Sequence, residues 1–325
     1  MHITPAWCEE QFGTQLRAFA ADLHSHPELS FEETRTTQKI LQALQSLPGV
    51  EVLATGAKTG AVARLAGGEG PAVALRADID AIPQHEAVQR PDASVYEGKM
   101  HACGHDTHTA SLLGAAMALC RRKSALRGDV YFVFQPAEEA LSGAKYLVEQ
   151  CGLFQAIHPA AMFGLHNYPE LPLGTVGVKQ GQLMSYKDVF EMRFVGRSGH
   201  SSMPQKNIDP IGAAAAFIQS VQTITSRNVG PLEAAVVSIC QVHAGTPRNL
   251  VVDDVLLSGN IRTLDEAVRA RVLQRFEQIA RGTADAYECQ LKLDMHPIVP
   301  GVNNPAGLYR IALAAAEASL GKEAV

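Results

Sequence analysis

Val130-Tyr131-Phe132-Val133-Phe134-Gln135-Pro136-Ala137-Glu138-Glu139 is the stretch that decides the fold. Five consecutive apolar and aromatic β-formers read as a strand buried on both faces, and Pro136 stops it. Ala72–Arg76 (AVALR) and Ala160–Leu165 (AAMFGL) read as strands of the same kind. Helical patterns lie around them. Thr107–Arg121 is small and apolar nearly all round, so it reads as a buried helix. Ser142–Gln150 reads as a short one. Upstream, Gln11–Leu23 carries Phe12, Leu16, Phe19 and Leu23 at helical spacing, and a second helix spans Glu32–Leu47 before Pro48-Gly49. This alternation predicts an α/β fold: a parallel sheet with helices on both faces.

The texture changes near Gly181. Tyr186–Val195 alternates like a half-exposed strand, and Pro210–Ser226 is helical. Ala234–His243 and Val251–Thr263 read as strands, Leu264–Tyr287 as a long charged helix, and Glu288–Met295 as a last strand. That order, β-α-β-β-α-β, is the split pattern of a two-layer domain inserted into the first. The expected division is residues 1–183 for the first domain, 184–298 for the insertion and 299–325 for the return, with a helix over Asn304–Leu320.

Composition narrows the class. The 325 residues are 46% hydrophobic and 19% charged, enough apolar residue for large cores and against disorder. Lys and Arg number 28 against 33 Asp and Glu, net −5, so there is no basic excess to hold nucleic acid or anionic lipid. No apolar run reaches the roughly 18 residues of a membrane span. The start, MHITPAWCEEQF, lacks the pattern of a secretory signal. Six cysteines are too sparse for a disulfide scaffold, which points to a reducing cytosol.

Chemistry-bearing residues gather after the strands. Met100-His101-Ala102-Cys103-Gly104-His105-Asp106-Thr107-His108 packs one cysteine, three histidines and an aspartate directly before the buried helix. Cys103 and His105 can grip one ion across a glycine turn. Glu138 and Glu139 follow the clearest strand. Adjacent carboxylates suit divided labour, one coordinating a metal while the other takes a proton. His166, in Gly164-Leu165-His166-Asn167, also follows a strand and is a candidate ligand. Asp78 and Asp80 follow AVALR, either as ligands or as acceptors that orient a ligand histidine. In open α/β sheets, ligands bind at the carboxyl ends of strands. Mixed N, O and S donors suit zinc, manganese, cobalt or nickel rather than calcium. In the insertion, His200 can donate to a developing oxyanion. Asn249 and Arg262 are further candidates, Arg262 through its planar fork to a carboxylate.

Taken together, the segments 23–33 (LHSHPELSFEE), 75–83 (LRADIDAIP), 100–110 (MHACGHDTHTA), 132–139 (FVFQPAEE), 164–169 (GLHNYP), 196–204 (GRSGHSSMP) and 259–263 (GNIRT) resemble the metal-dependent aminoacylase/carboxypeptidase group of amidohydrolases. That group includes hippurate hydrolases and hydrolases of indole-acetyl-amino-acid conjugates. MHACGHD with FQPAEE is the specific combination. The resemblance implies a catalytic domain with two divalent metal ions per subunit and a smaller lid domain that mediates homodimers. It matches Cys103, His105, Glu139 and His166 to metal ligands, and Glu138 to the general base. His200 is matched to oxyanion stabilisation, and Asn249 and Arg262 to contacts with the substrate carboxylate. Asp78, Asp80 and Asp106 are expected to hold the ligands from behind. The implied reaction is hydrolysis of N-acyl-amino acids of the hippurate or N-acetyl type.

Members of that group usually continue past the last helix, with one further ligand histidine. The expectation is therefore either a truncated product, with low activity or poor stability, or a piece of a longer protein. Competing readings are an inactive remnant that keeps the lid as a dimerisation or binding module, and an amidohydrolase of another small amide or a dipeptide. A nucleobase deaminase needs H-x-E with P-C-x-x-C, and the chain has no C-x-x-C. A Cys103 nucleophile with His105 as base would leave the clustered carboxylates without a role.

Overall fold

The computed structural model describes residues 3–245 and 247–325. The chain forms two units, one running up to Val178 and including Arg310–Val325, the other Lys179–Tyr309.

In the first unit the strands are β1 (Val50–Leu53), β2 (Ala61–Leu65), β3 (Gly70–Asp78), β4 (Gly128–Gln135) and β5 (Ala161–Gly164). They form one sheet in the order β1-β2-β4-β3-β5. β4, β3 and β5 are parallel, whereas β1 and β2 are antiparallel additions. The sheet is therefore mixed, not wholly parallel. The local pattern conceals β1 and β2. The first is four residues and half-exposed, and the second carries Arg64, whose guanidinium reaches Asp129 at 2.7 Å.

Three helices, α1 (Thr14–Ser25), α2 (Thr34–Gln45) and α3 (His105–Cys120), cover one face. Alternation along β4 supplies both cores. Phe132 and Phe134 enter the cluster with Ile40, Leu44, Leu113 and Met117, and Val133 faces Leu147, Leu153 and Ile157 on the other side. The second face is covered by the short helical turns between Gly143 and Ala156. α3 starts two residues earlier than its apolar pattern suggests, because Gly104 at φ 78 turns the chain directly into His105.

In the second unit, β6 (Gly181–Met184) pairs with a later strand. β7 (Tyr186–Val195), β8 (Ala235–His243), β9 (Asp254–Thr263) and β10 (Gln290–Val299) form an antiparallel sheet in the order β10-β7-β9-β8. β11 (Val302–Asn304) is the partner of β6. α4 (Pro210–Val221) and α5 (Glu266–Ala286) pack on the sheet through Phe190, Phe194, Leu257, Phe217 and Phe276. Each helix starts on an aspartate cap, Asp209 and Asp265. Arg269 of α5 ties to the buried Asp188 of β7 by two bonds of 2.6 and 2.8 Å. This is the two-layer β-α-β-β-α-β arrangement. The last strand runs beyond Met295, with His296 paired to Val189 of β7. α6 (Ala306–Leu320) follows. Among the described residues, no helix is long and apolar enough to cross a membrane.

Candidate metal centre

Because β3, β4 and β5 are parallel, their C-terminal ends meet at one edge of the sheet. Asp78 closes β3 opposite Gln135 of β4, and the Glu138–Glu139 loop and His166 follow β4 and β5. α3 brings His105 and His108 on its first turn, with Cys103 just before it. Three sets of potential ligand atoms, each within 4.8 Å, result: Cys103, His105 and Glu139; His105, His108 and His166; Asp78, His105 and Glu138.

The hydrogen bonds distinguish the three histidines. His105 directs Nδ1 at Asp80 Oδ1, 3.2 Å away, so its proton sits there and Nε2 carries the lone pair. That Nε2 is buried without a hydrogen-bond partner, 3.6 Å from Asp78 Oδ2 and 3.8 Å from Glu139 Oε1. His166 donates from Nδ1 to the Asn167 carbonyl at 2.7 Å, which likewise leaves Nε2 free. His108 differs. Its Nδ1 donates to Asp78 at 2.6 Å, and its Nε2 lies against Asn167, 2.8 Å from the backbone N and 2.7 Å from Oδ1. Both ring nitrogens of His108 are engaged, so it braces the His166 turn.

The electrostatics fit a cation. Burial works to raise Asp78, yet the His108 hydrogen bond and the Arg76 guanidinium hold it well below the usual carboxylate range. Burial, a hydrogen bond to Glu139 and the charges of Glu139, Glu138 and Asp78 push the Cys103 thiol up to about 12. A thiol so placed is a poor nucleophile and needs a positive ion to become a thiolate. Burial and the adjacent Glu139 charge raise Glu138. An orphaned imidazole nitrogen, a thiol among carboxylates and mixed N, O and S donors suit a borderline divalent ion.

Of the aspartates expected behind the ligands, Asp80 bonds His105, and it also accepts from Ser30 at 2.7 Å and from the Glu139 backbone N–H at 2.9 Å. Asp78 contacts His108 and Arg76. Asp106 bonds His24 at 2.8 Å. The sequence reading gives no role to His108, His24 or Glu33. Segment 23–33 contains the last two, and the structure gives it work. Ser30 holds Asp80, Glu28 accepts the Arg35 and Thr36 amides that open α2, and Glu33 accepts the Ala137 amide.

In the second unit His200 and Asn249 are brought together. Gly199–His200 pairs with Leu250–Val251, and Ser201 N–H donates to the Asn249 carbonyl at 3.1 Å. The Ser202 backbone N–H donates to His200 Nδ1 at 3.2 Å, which leaves the His200 proton on Nε2. Arg262 is exposed on β9, opposite Lys187 of β7.

Donors of this mixture, at the carboxyl edge of an α/β sheet, define a metal-dependent hydrolase. The chain belongs to peptidase family M20/M25/M40, whose model matches residues 74–325. It is 43% identical over 319 residues to the N-acetylcysteine deacetylase of Bacillus subtilis (strain 168), spanning 98% of this chain and 83% of that one. It is 38% identical to the N-acyl-L-amino acid amidohydrolase of Geobacillus stearothermophilus, spanning 89% and 79% respectively. A crystal structure of a dinuclear metal-binding M20 peptidase from Bacillus subtilis superposes with a TM-score of 0.84 at 40% identity, covering 95% of this chain and 80% of that one. The protein is accordingly a metallo-amidohydrolase that uses divalent metal.

Proposed function

We propose that this chain hydrolyses the amide bond of N-acyl-α-amino acids, with acetyl and benzoyl groups as the acyl portions to test first. The observation that carries the reading is the glutamate pair at the strand end: Glu139 groups with Cys103 and His105, and Glu138, which groups with Asp78 and His105, has a raised pKa. Relatives named for N-acetylcysteine and N-acyl-L-amino acids support the substrate class.

Cys103, His105, Glu139 and His166 are assigned to hold two divalent ions, zinc, manganese, cobalt or nickel. Such ions supply Lewis acidity, which acidifies water and polarises an amide carbonyl. Glu138 takes the proton of the attacking water and returns it to the leaving amine nitrogen. Asp80 keeps His105 in the tautomer that presents Nε2, and His108 does the corresponding service for the turn that carries His166. His200, with its proton on Nε2, is assigned to donate to the oxyanion, and Asn249 and Arg262 to bind the substrate carboxylate. The first unit is the catalytic domain, and the second is the lid and the homodimer interface. Six free cysteines accord with the cytosol.

The test is hydrolysis of an N-acetyl- and N-benzoyl-amino-acid panel with added Mn²⁺, with Cys103→Ala as control. Turnover that vanishes in the control is expected. Turnover that persists in Cys103→Ala, or is absent from the parent chain across the panel, overturns the assignment.

A further inference from the structure

Glu33 is fully buried and lies 104 residues from the backbone it serves. Its Oε1 accepts the Ala137 N–H at 2.7 Å. Burial raises its pKa, and bonds from its own backbone amide, the Thr59 side chain and the Ala137 amide oppose the rise. A buried carboxylate is costly to keep unless such bonds satisfy it.

The other end of the Ala137 bond is strained. Ala137 is a non-glycine residue at φ 51, and Leu141 has φ 56. Between them the chain closes a tight loop: Leu141 N–H donates to the Glu138 carbonyl at 2.7 Å, and Gly143 N–H to the Ala137 carbonyl at 3.0 Å. Glu138 sits inside this loop. The amide before it, Ala137, is held by Glu33. The amide after it, Glu139, is held by Asp80 at 2.9 Å. Two remote carboxylates thus clamp the backbone on either side of one side chain.

We propose that Glu33 is a positioning residue: by holding the Ala137 amide it keeps the left-handed turn from which Glu138 is aimed. This rests on the reading of Glu138 as the general base. Among the described residues Glu33 has no hydrogen bond to a candidate ligand side chain, and it takes no proton in the reaction. Its effect passes through the backbone it grips.

The experiment compares the Mn²⁺-loaded parent chain with Glu33→Gln, Glu33→Ala and Glu33→Ala combined with Ala137→Gly. It measures kcat and KM on an N-acetyl-amino acid, metal per chain, and the visible spectrum of the Co²⁺-loaded forms. A misplaced base costs about 10²-fold, so Glu33→Ala should lose about that in kcat with KM and metal content within about twofold. Glu33→Gln keeps an acceptor for the Ala137 amide and should recover most of the loss. Glycine reaches the left-handed region without strain, so Ala137→Gly should recover about tenfold in the alanine background. The proposal is overturned by Glu33→Ala with kcat within about twofold of the parent, since a misplaced base should cost far more. Equal losses in Gln and Ala, or a loss that tracks metal content, overturn it too. A Glu33→Ala chain that fails to fold even with Ala137→Gly assigns the carboxylate to the fold alone and also overturns it. An inactive parent chain sinks the hydrolase reading by itself. The Co²⁺ bands then decide, because Glu139 rides on the same backbone: altered bands in Glu33→Ala but not in Glu33→Gln support the clamp, and unaltered bands refute it.

Discussion

Glu138 and Glu139 are chemically the same residue, and their neighbours give them different work. Glu139 lies with Cys103 and His105, whereas Glu138 is raised by burial and by the charge beside it. Under the proposed mechanism, Glu138→Gln keeps the shape and loses the proton shuttle. Its kcat should fall by about 10²–10⁴-fold while bound metal stays constant, read from initial rates and metal analysis on the same sample. Undiminished turnover would remove Glu138 from the mechanism. The histidines teach the same lesson. His105 and His108 share the first turn of α3, and spacing cannot separate them. The contacts of His108 Nε2 with Asn167 do, together with the lack of a hydrogen-bond partner for the buried His105 Nε2.

The loops that follow the strands carry the site, and two of them show what holds such a loop. Gly143 has no room for a side chain, since a Cβ there would collide with the Pro136 carbonyl, backbone against backbone. Gly143→Ala should therefore destabilise the chain by about 1–3 kcal/mol and lower kcat, as read by thermal unfolding and initial rates. A variant with unchanged melting temperature would show that the turn relaxes freely. At the end of α1, His24 faces Asp106 at 2.8 Å and Glu86 at 3.1 Å, one carboxylate on each ring nitrogen. Both nitrogens then face acceptors, which favours the imidazolium. The Asp106 bond raises its pKa above 6.5, burial opposes, and Glu86 adds to the rise. A raised folded pKa gives stability that is complete below the unfolded value near 6.5 and is lost as pH climbs through the folded value. The melting-temperature difference between the parent chain and His24→Ala, both metal-saturated, should be largest at pH 6 and shrink above pH 6.5. A difference that grows with pH would contradict the imidazolium.

The whole molecule has separate hydrophobic cores in its two units, one around Phe190 and Phe276 and the others around Phe132 and Val133. The candidate ligands Cys103, His105, Glu139 and His166 all belong to the first unit and come from three separate stretches of chain. An ion that cross-links those stretches stabilises the folded unit alone, by about 2.7 kcal/mol when free metal is a hundred times its Kd. Calorimetry with a chelator should lower the transition of the first unit and leave the other in place. Added Mn²⁺ should restore it, and Cys103→Ala should blunt the response. A chelator that shifts neither transition would count against a structural contribution from the metal.

Sequence by itself determined the central strands, the buried helix α3, the β-α-β-β-α-β order of the second unit and the membership of a metal-dependent amidohydrolase class. These rest on local facts: apolar runs, helical spacing, and the density of Cys, His and Glu in short motifs. Tertiary structure alone decided the antiparallel β1 and β2, which are only four and five residues long and so carry weak local signals. It alone decided which imidazole nitrogens are free, and it alone gave His24, His108 and Glu33 their work. The deciding partners lie 82, 59 and 104 residues away. A hydrogen bond across such a separation leaves no periodicity in the chain. Only the packing of the sheet and its helices, which brings the strand ends together, creates it.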